Sequence, residues 1–371
     1  MQARVKDIAD IVENLFPLQL AEKWDNTGLQ IGSFKYQVSR VLVALDMDEE
    51  VLHYAREQKA DMIITHHPLF FNAIKSINYD QSAGNLLKAI IEAGITVYAA
   101  HTNLDAGNRG LNQILAERIG LLDIKPLDKG HSEELYKLVV YVPIDHESTV
   151  RQAILEAGAG HIGKYQDCSF RARGTASFRP LQGSTPYIGQ EGVLQEVEEY
   201  RLETILPKVQ LENVLPKMLK AHPYEEAAYD LYRLERPGQV FSLGRVGKLN
   251  AGISLEELGN DVKKKLGLKF LRIAGDMKKS VSKIAVVSGA GASFINKALS
   301  QGCDVLVTGD LKYHEAREAL DLGIAVIDAG HQGTEQLMSS YLSNLLKDET
   351  QKRGLNVEFI SIMNRECIIT I

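Results

Sequence analysis

Residues 39–69 read SRVLVALDMDEEVLHYAREQKADMIITHHPL, and residues 282–312 read SKIAVVSGAGASFINKALSQGCDVLVTGDLK. Aligned without a gap, they share apolar, acidic and hydroxyl positions: Val41 with Ile284, Asp61 with Asp304, and Thr65 with Thr308. Each stretch has the pattern of a strand, a helix and a second strand. We interpret the match as an internal duplication. The alternative is a chance similarity between two buried βα units.

Strand-like and helix-like runs alternate around both stretches. In the first half, the strand-like runs are RVLVALD, DMIITHH and ITVYAAH, and the helix-like runs are EEVLHYAREQKA, AGNLLKAIIEAG and RGLNQILAERIG. The duplication extends further, because EAGITVYAAH is echoed by DLGIAVIDAGH with a one-residue slip before the histidine. This order predicts an α/β fold of duplicated βα halves, with strand ends that meet at one ligand site.

The segment between the two halves follows a different pattern. It contains the strand YKLVVYVP, the helix STVRQAILEAG, a polar stretch suited to a β-hairpin, the strand EEYRLETILP, the helix LENVLPKMLKAH and the strand AAYDLYRLE. The order βαββαβ is the ferredoxin-like plan. We therefore predict core half one over residues 1–129, an inserted α+β ferredoxin-like domain over 130–240, and core half two over 241–371.

The composition excludes several classes of protein. The 371 residues are 45% hydrophobic and 24% charged with a formal net charge of -6, so no general basic field would attract nucleic acid or an anionic membrane. No apolar run reaches the roughly 20 residues of a membrane span, and the charged N-terminal stretch is unlike a signal peptide. Three cysteines without CxxC spacing indicate a reducing compartment. We expect a cytoplasmic protein without a membrane partner.

Histidine and carboxylate residues occur where several predicted strands end. The candidate ligands in the segments THH, AAHTNLD and DAGHQGTE are His66, His67, Asp105, His331 and Glu335. A helix that begins after Gly330 would present His331 and Glu335 on one face, since they are four residues apart. Imidazole and carboxylate suit zinc, iron, manganese or copper. Because no cysteine is among these candidate ligands, a thiolate structural site is excluded. Five ligands are enough for two ions about 4 Å apart, bridged by a carboxylate.

Each of these motifs also has a plainer interpretation. Two adjacent histidines are often a capped or solvated strand end, and His and Glu four residues apart are common on helices. The metal interpretation rests on their combination at duplicated strand ends. His101, Asp310 and His314 either orient the ligands or are ordinary hydrogen-bonded residues at the sheet edge. No other catalytic residue is assigned from the sequence.

Two loops beside the predicted strands leave alternatives open. WDNTGLQIGS, which includes Trp24 and Asp25, either lines the pocket or is a turn between a helix and a strand. SGAGAS, residues 288–293, follows a strand as a phosphate-binding loop does. It lacks the full dinucleotide fingerprint and the P-loop lysine, so no nucleotide cofactor is assigned to it.

With KWDNTGLQIGS, ITHHPLF, AAHTNLDAG, TGDLKYHEA and DAGHQGTE in this order, the chain resembles the Nif-three-like dinuclear metal-centre family, often labelled homologues of a type-two GTP cyclohydrolase. The family's metal ligands match His66 and His67 in THHP, Asp105 in HTNLD, and His331 and Glu335 in HQGTE. The resemblance implies two divalent ions per subunit, as zinc, iron or manganese. It also implies a homo-hexamer, a trimer of dimers, with the metals facing an internal cavity.

The inserted segment is similar to the PII and CutA folds, and HPYEEAAYD, from His222, resembles the tail of the latter. We therefore expect a dinuclear metal-dependent hydrolase for a small nucleotide-like or heterocyclic substrate. Its GTP cyclohydrolase form rests on the family label alone. The alternative is a non-enzymatic hexamer that senses or stores metal, or binds a regulatory partner. The insert would gate the cavity, bind a ligand or serve only as structure.

Overall fold

A computed structural model describes residues 2–368 of the chain. These residues divide into two units. The first, which we call the core, combines the residues up to His131 with those from Phe241 onward. The second, which we call the insert, spans Ser132–Val240. No helix within the described residues is long and apolar enough to cross a membrane.

The first half of the core alternates strands and helices. Its strands are β1 (Ala3–Arg4), β2 (Gly28–Ile31), β3 (Gln37–Val38), β4 (Arg40–Ala44), β5 (Met62–Thr65), β6 (Thr96–Ala99) and β7 (Leu122–Pro126). Its helices are α1 (Val5–Leu15), α2 (Glu49–Glu57), α3 (Ser82–Ala93), α4 (Thr102–Ala106) and α5 (Leu111–Ile119), with a 3-10 turn at Leu18–Leu20. Helix α2 begins at Asp48, whose carboxylate accepts a hydrogen bond from the Val51 N–H and caps the helix.

The insert is built from strands around two helices. The strands are β8 (His131–Ser132), β9 (Leu135–Pro143), β10 (Ser169–Phe178), β11 (Gln195–Pro207), β12 (Tyr229–Arg233) and β13 (Val240–Phe241). The helices are α6 (Glu147–Glu156) and α7 (Leu211–Ala221), and 3-10 turns cover Ile144–His146 and Lys208–Gln210. Among described residues, β10, β11, β9 and β12 form an antiparallel sheet in that order. Alternate β9 residues, Leu138, Val140 and Val142, pack with α6 and α7 in one apolar cluster.

The second half of the core repeats the alternation. Its strands are β14 (Arg245–Ser254), β15 (Arg272–Ala274), β16 (Ser280–Val286), β17 (Val305–Thr308), β18 (Ala325–Asp328) and β19 (Glu358–Ser361). Its helices are α8 (Leu255–Leu266), α9 (Ile295–Ser300), α10 (Tyr313–Leu322), α11 (His331–Glu335) and α12 (Leu337–Lys352), with a 3-10 turn at Ala292–Phe294. The expectation of a mixed α/β fold is confirmed.

Two large sheets form the core within the described residues, beside a two-stranded pairing of β1 with β3. One has the order β19-β4-β5-β6-β2, and the other has the order β15-β18-β17-β16-β14-β7. Strands β4, β5 and β6 are parallel, as are β16, β17 and β18. Val41 pairs with Met62 in the first sheet, and Ile284 pairs with Val305 in the second. The aligned sequences therefore have the same strand register.

Each half of the core gives one strand to the other half's sheet. Strand β7 precedes the insert but pairs with β14, and β19 follows α12 but pairs with β4. Helix α12 packs its residues Met338, Leu342 and Leu346 into the apolar cluster that covers β4 and β5. The two halves are therefore joined by strand pairing and by a shared apolar core.

A buried arginine also joins the two halves of the core. The Arg245 side chain is 1% exposed, and its guanidinium donates to the carbonyl oxygens of Ser242, Gly244, Ala106 and Gly107 at 2.6–3.1 Å. Burial lowers the pKa of Arg245 to about 10. Because Ala106 ends α4 and Arg245 begins β14, this side chain fixes a first-half loop against a second-half strand.

Candidate metal centre

The five predicted ligands meet in the core, where parallel strands end. His66 and His67 directly follow β5, and Asp105 lies on α4 soon after β6. His331 begins α11 and Glu335 ends it, so both lie on one side of this short helix. His66 is fully buried, and Glu335 is 3% exposed. Two strand ends of the first half and one of the second therefore supply the site.

Glu335 lies at the centre of the group. Its Oε2 is 3.2 Å from His67 Nε2 and 3.1 Å from His331 Nε2. Its other oxygen, Oε1, is 3.8 Å from His66 Nε2. His66 Nε2 is also 3.5 Å from Asp105 Oδ1. A single carboxylate therefore faces three imidazoles, while a second carboxylate faces one of them from the other side.

Each histidine of the site is held through its Nδ1 atom by an oxygen. The pairs are His66 with the Ala100 carbonyl (3.0 Å), His67 with Asp46 (2.7 Å), His101 with Asp25 (2.9 Å) and His331 with Asp310 (2.7 Å). An Nδ1–H that donates to such an oxygen leaves the Nε2 lone pair free, which is the arrangement metal-bound histidines generally have. When the rings are neutral, as metal binding requires, the Nε2 atoms of all four imidazoles are available as ligands.

The donor set fits a metal ion. Within the described residues, His66 Nε2 and Glu335 Oε2 are buried and have no hydrogen-bond partner of proper geometry. Unsatisfied buried polar atoms are costly, and a divalent cation would satisfy both. Ligand atoms of His67, His331 and Glu335 lie within 4.8 Å of one another, as do those of His66, His67 and His101. These buried His and Glu groups could hold a metal ion.

The site strongly favours positive charge. Burial opposes the charged form of His67, but its contacts with Asp46 and Glu335 prevail and raise its pKa to about 10. The close contact with Glu335 raises the pKa of His331 to about 9 against the effect of burial. Burial alone would raise the pKa of Glu335, but the histidines hold it well below its usual value. The negative potential that retains these protons would also attract a divalent cation.

The SGAGAS loop forms one wall of the site. Gly289 has a φ of 60°, and a Cβ there would lie 2.4 Å from Glu335 Oε1 and 3.2 Å from His331 Nε2. Its N–H donates to Thr334 Oγ1 at 2.9 Å. Ser288 Oγ donates to Asp105 Oδ1 at 3.4 Å. The small residue therefore makes room for the central carboxylate.

Aromatic rings stand at the rim of the site. Trp24 is 61% exposed and Phe71 is 52% exposed. Both rings make edge contacts with the His101 ring, each with centroids 5.8 Å apart. Phe71 also lies 6.3 Å from the His67 ring. Large exposed aromatic side chains beside a polar cluster are typical of a site that receives an apolar or planar ligand.

The three orienting candidates have different environments. Asp310 holds His331, and its φ of 55° is uncommon for a residue with a side chain and typical of functional sites. His101 lies within the cluster itself, beside His66 and His67. His314 is exposed, and its ring packs against Tyr313. Its orienting role stays a prediction.

Sequence reasoning missed Asp46, the carboxylate that holds His67. The sequence could have identified it, because Asp46 directly follows the apolar run RVLVAL. It therefore lies at the end of β4, next to the end of β5. The sequence leaves two roles open for the segment of Asp25, lining the pocket or forming a turn, and predicts no contact with His101. Burial opposes its charge, but hydrogen bonds from His101 and Thr102 lower its pKa to about 2, so it is a carboxylate that holds His101.

The comparisons with known proteins identify the family of the chain. The profile of the Duf34/NIF3 (NGG1p interacting factor 3) family matches residues 3–366. The chain belongs to the DUF34/NIF3 family. It is similar to proteins named GTP cyclohydrolase 1 type 2 homolog, at 42% identity over 358 residues in Bacillus subtilis and 41% over 351 residues in Halalkalibacterium halodurans. These matches cover 96% and 94% of this chain, and 95% and 94% of the relatives.

Solved structures of DUF34/NIF3 relatives show the same fold. A Bacillus cereus protein related to NIF3 matches with a TM-score of 0.94 at 39% identity, over 99% of both chains. A Staphylococcus aureus protein matches with a TM-score of 0.79 at 28% identity, over 99% of this chain and 98% of its own. The likeness extends over nearly the whole chain, including the insert.

Proposed function

We propose that this DUF34/NIF3 protein is a dinuclear metal-dependent hydrolase acting on a small nucleotide-like or heterocyclic substrate. The central position of Glu335 carries the proposal, because its two oxygens face different imidazoles. Glu335 with His67 and His331 would hold one ion, and Glu335 with His66 and Asp105 would hold the second. The donor set suits zinc, iron or manganese.

Divalent ions held there would supply Lewis-acid chemistry and activate a water for hydrolysis. His101 would act as a proton acceptor beside the ligands, because Asp25 holds its Nδ1 and its Nε2 is left for that role. The Thr102 N–H donates to the other Asp25 oxygen at 3.0 Å and so fixes the carboxylate. His101 and Asp25 therefore form a rigid pair beside the ligands.

The aromatic rim supports a planar substrate. Trp24 and Phe71 expose ring surface on which a heterocycle can stack, and both contact the imidazole of His101. A ring held there would present its reacting bond toward the ligand cluster. The name GTP cyclohydrolase 1 type 2 homolog of the relatives is consistent with a purine substrate, which is the most specific form of the proposal.

Metal-dependent turnover tests this function. The protein is purified without added metal and assayed against nucleotides, heterocycles and phosphoesters as isolated, after chelation, and after reloading with zinc, iron or manganese. We expect turnover that chelation abolishes and one of the metals restores. In the variant Trp24→Ala, KM should rise for planar substrates but not for a small phosphoester. Readily exchanged metal without turnover on any substrate would contradict the proposal and favour metal storage or sensing.

The insert and the assembly belong to the same proposal. The element order β9-α6-β10-β11-α7-β12 and the strand order of its sheet support a ferredoxin-like plan of the PII or CutA type. The homo-hexamer rests on the family resemblance. Light scattering should give a mass of about six times the 41.1 kDa of the chain, and a monomer would exclude it.

A further inference from the structure

The insert contains a cavity of its own, which neither the metal centre nor the proposed reaction uses. Its volume is about 760 Å³, within the usual range of small-molecule sites. The residues that matter for its chemistry are Tyr141 on β9, Phe178 at the end of β10, Tyr187 in the loop between β10 and β11, Glu199 on β11, and Tyr224 and Glu225 after α7. The cavity therefore lies wholly within one unit.

Aromatic rings form much of the cavity wall. Tyr224 lies between Phe178 and Tyr187, with ring centroids 5.8 Å and 6.2 Å away. The Tyr187 hydroxyl hydrogen-bonds His146 at 2.9 Å, which ties the loop that carries it to the 3-10 turn. Several π faces around a space of this size suit either a planar ligand or a cation.

A buried glutamate, Glu199, favours the cation over the neutral planar ligand. Glu199 is 4% exposed, and the Tyr224 hydroxyl donates to its Oε1 at 2.8 Å. No ion pair to Glu199 exists within residues 2–368. Carboxylates are rarely so buried unless a cation balances them. The cavity beside Glu199 is the space from which a counter-charge can come.

The other buried glutamate of the insert shows how the charge of a buried carboxylate is usually balanced. Glu147 is 3% exposed, like Glu199, but it pairs with Arg151 at 2.9 Å and with Arg171 at 2.5 Å. Two arginines thus balance one carboxylate in the same unit. Glu199 is the exception, and it lines the cavity.

The nearby basic groups do not supply the missing charge. His222 uses both ring nitrogens, since its Nε2 contacts the Tyr141 carbonyl and its Nδ1 accepts from the Tyr224 N–H. This pattern requires the neutral ring, and burial also lowers the pKa of His222. Arg179, in the cavity lining, donates to the Gly192 carbonyl. The acidic lining residues Glu199, Glu225 and Glu226 outnumber this single arginine.

We propose that the cavity of the insert binds a small organic cation of the ammonium class, with Glu199 as its counter-ion and the aromatic rings as its cage. The negative faces of the aromatic rings attract the cation through their quadrupoles. The Glu199 carboxylate makes the site prefer a cation over a neutral molecule of the same shape. Such a site would be separate from the metal centre. The insert would then be a ligand-binding module.

Calorimetry on the full-length protein tests the site with choline and its uncharged isostere 3,3-dimethylbutan-1-ol. We expect choline to bind and the isostere not to bind, because the two share shape but differ in charge. Glu199→Gln should weaken choline binding at least about tenfold. Glu196→Gln is the matched control, since Glu196 lies exposed on the same strand outside the cavity lining, and it should leave binding unchanged.

Tyr187→Leu keeps the test decisive if Glu199→Gln does not fold, because Tyr187 is 55% exposed in a loop. It should weaken choline binding roughly two- to fivefold, the usual worth of one exposed ring face. Circular dichroism verifies that each variant is folded. Equal binding of the neutral isostere, no binding of choline at millimolar concentration, or tighter binding of inorganic phosphate or a nucleotide in this cavity would each overturn the proposal.

Discussion

The two halves of the core share three parallel strands of the same register but carry different chemistry at the ends of these strands. Asp61 accepts hydrogen bonds from the N–H and hydroxyl of Ser39, and Asp304 accepts the same two bonds from Ser282. Asp61 thus connects the beginning of β4 to that of β5, and Asp304 makes the equivalent connection between β16 and β17. These two matching pairs therefore lie at the strand ends away from the site.

The differences are concentrated at the opposite ends of the same strands. In the gap-free alignment that matches Ser39 with Ser282, Asp46 stands opposite Gly289 and His67 stands opposite Asp310. In the first half, a carboxylate at the end of β4 holds an imidazole at the end of β5. In the second half, glycine leaves room for Glu335, and Asp310 holds His331.

This comparison explains why the site needs both halves. Each half has a histidine and a carboxylate four residues apart, His101 with Asp105 and His331 with Glu335. Only the first half adds two adjacent histidines after its middle strand. Two sets of strands with the same register thus offer equivalent strand ends, and their different side chains make one asymmetric cluster instead of two separate sites.

The largest effect should follow when the connection between the halves is broken. In Arg245→Met the stem is kept, but at least four buried carbonyl groups lose their charged donor. We expect the free energy of unfolding to fall by about 3 kcal/mol or more. Urea denaturation measures it, with exposed Arg353→Met as the control. An unchanged midpoint would show that strand exchange and the shared apolar core join the halves without this arginine.

The next largest effect should follow when a side chain fills the space that Gly289 leaves beside Glu335. Gly289→Ala would place a Cβ 2.4 Å from Glu335 Oε1, so the carboxylate must move. We expect metal affinity to fall about 10- to 100-fold. Gly302→Ala is the matched control, because Gly302 also has positive φ, at 69°, and a Cβ there meets nothing within 4 Å. Equal metal affinity in the two variants would contradict this role.

A smaller effect should come from the orienting carboxylates, and it should be similar in both halves. Asp46→Asn weakens the hold on His67, and Asp310→Asn weakens the hold on His331. We expect each to lower metal affinity about tenfold without a loss of stability. Competition with a chromophoric chelator measures both. An effect from only one of them would mean that the site depends on one half more than the geometry indicates.

Much of the site could be predicted from the sequence, because its residues follow apolar runs whose period marks them as strands. The end of β5 identifies His66 and His67, and the spacing on α11 identifies His331 with Glu335. The hydrogen-bond partners at the Nδ1 atoms could not all be identified. They depend on which strands become neighbours, and that choice involves residues far apart in the chain.

The order of the strands in the two sheets could not be predicted from local sequence patterns, for the same reason. Strands β7 and β19 each pair within the other half's sheet, and nothing in their own residues specifies the partner. The role of the SGAGAS loop was also hidden, since its glycines suit a phosphate loop as well as a close approach by Glu335. Only the tertiary structure distinguishes these uses.

The smallest effect should follow removal of the insert. Replacing residues 132–240 with a short flexible linker leaves both halves and all five predicted ligands in place. We expect a folded core with unchanged metal content per chain. Circular dichroism and metal analysis measure it. Loss of metal or aggregation of the shortened chain, under conditions where the full chain is well behaved, would make the insert part of the core's folding unit.

The most direct test of a shared centre is the number of metal ions per chain, measured by elemental mass spectrometry on protein purified without added metal. We predict two divalent ions in the parent protein and a substantial loss of both in Glu335→Gln, since a neutral amide is a poorer ligand and cannot balance two ions. Exposed Glu318→Gln should keep both. Undiminished two-metal occupancy in Glu335→Gln would contradict the assignment of Glu335 as the carboxylate that joins the two halves.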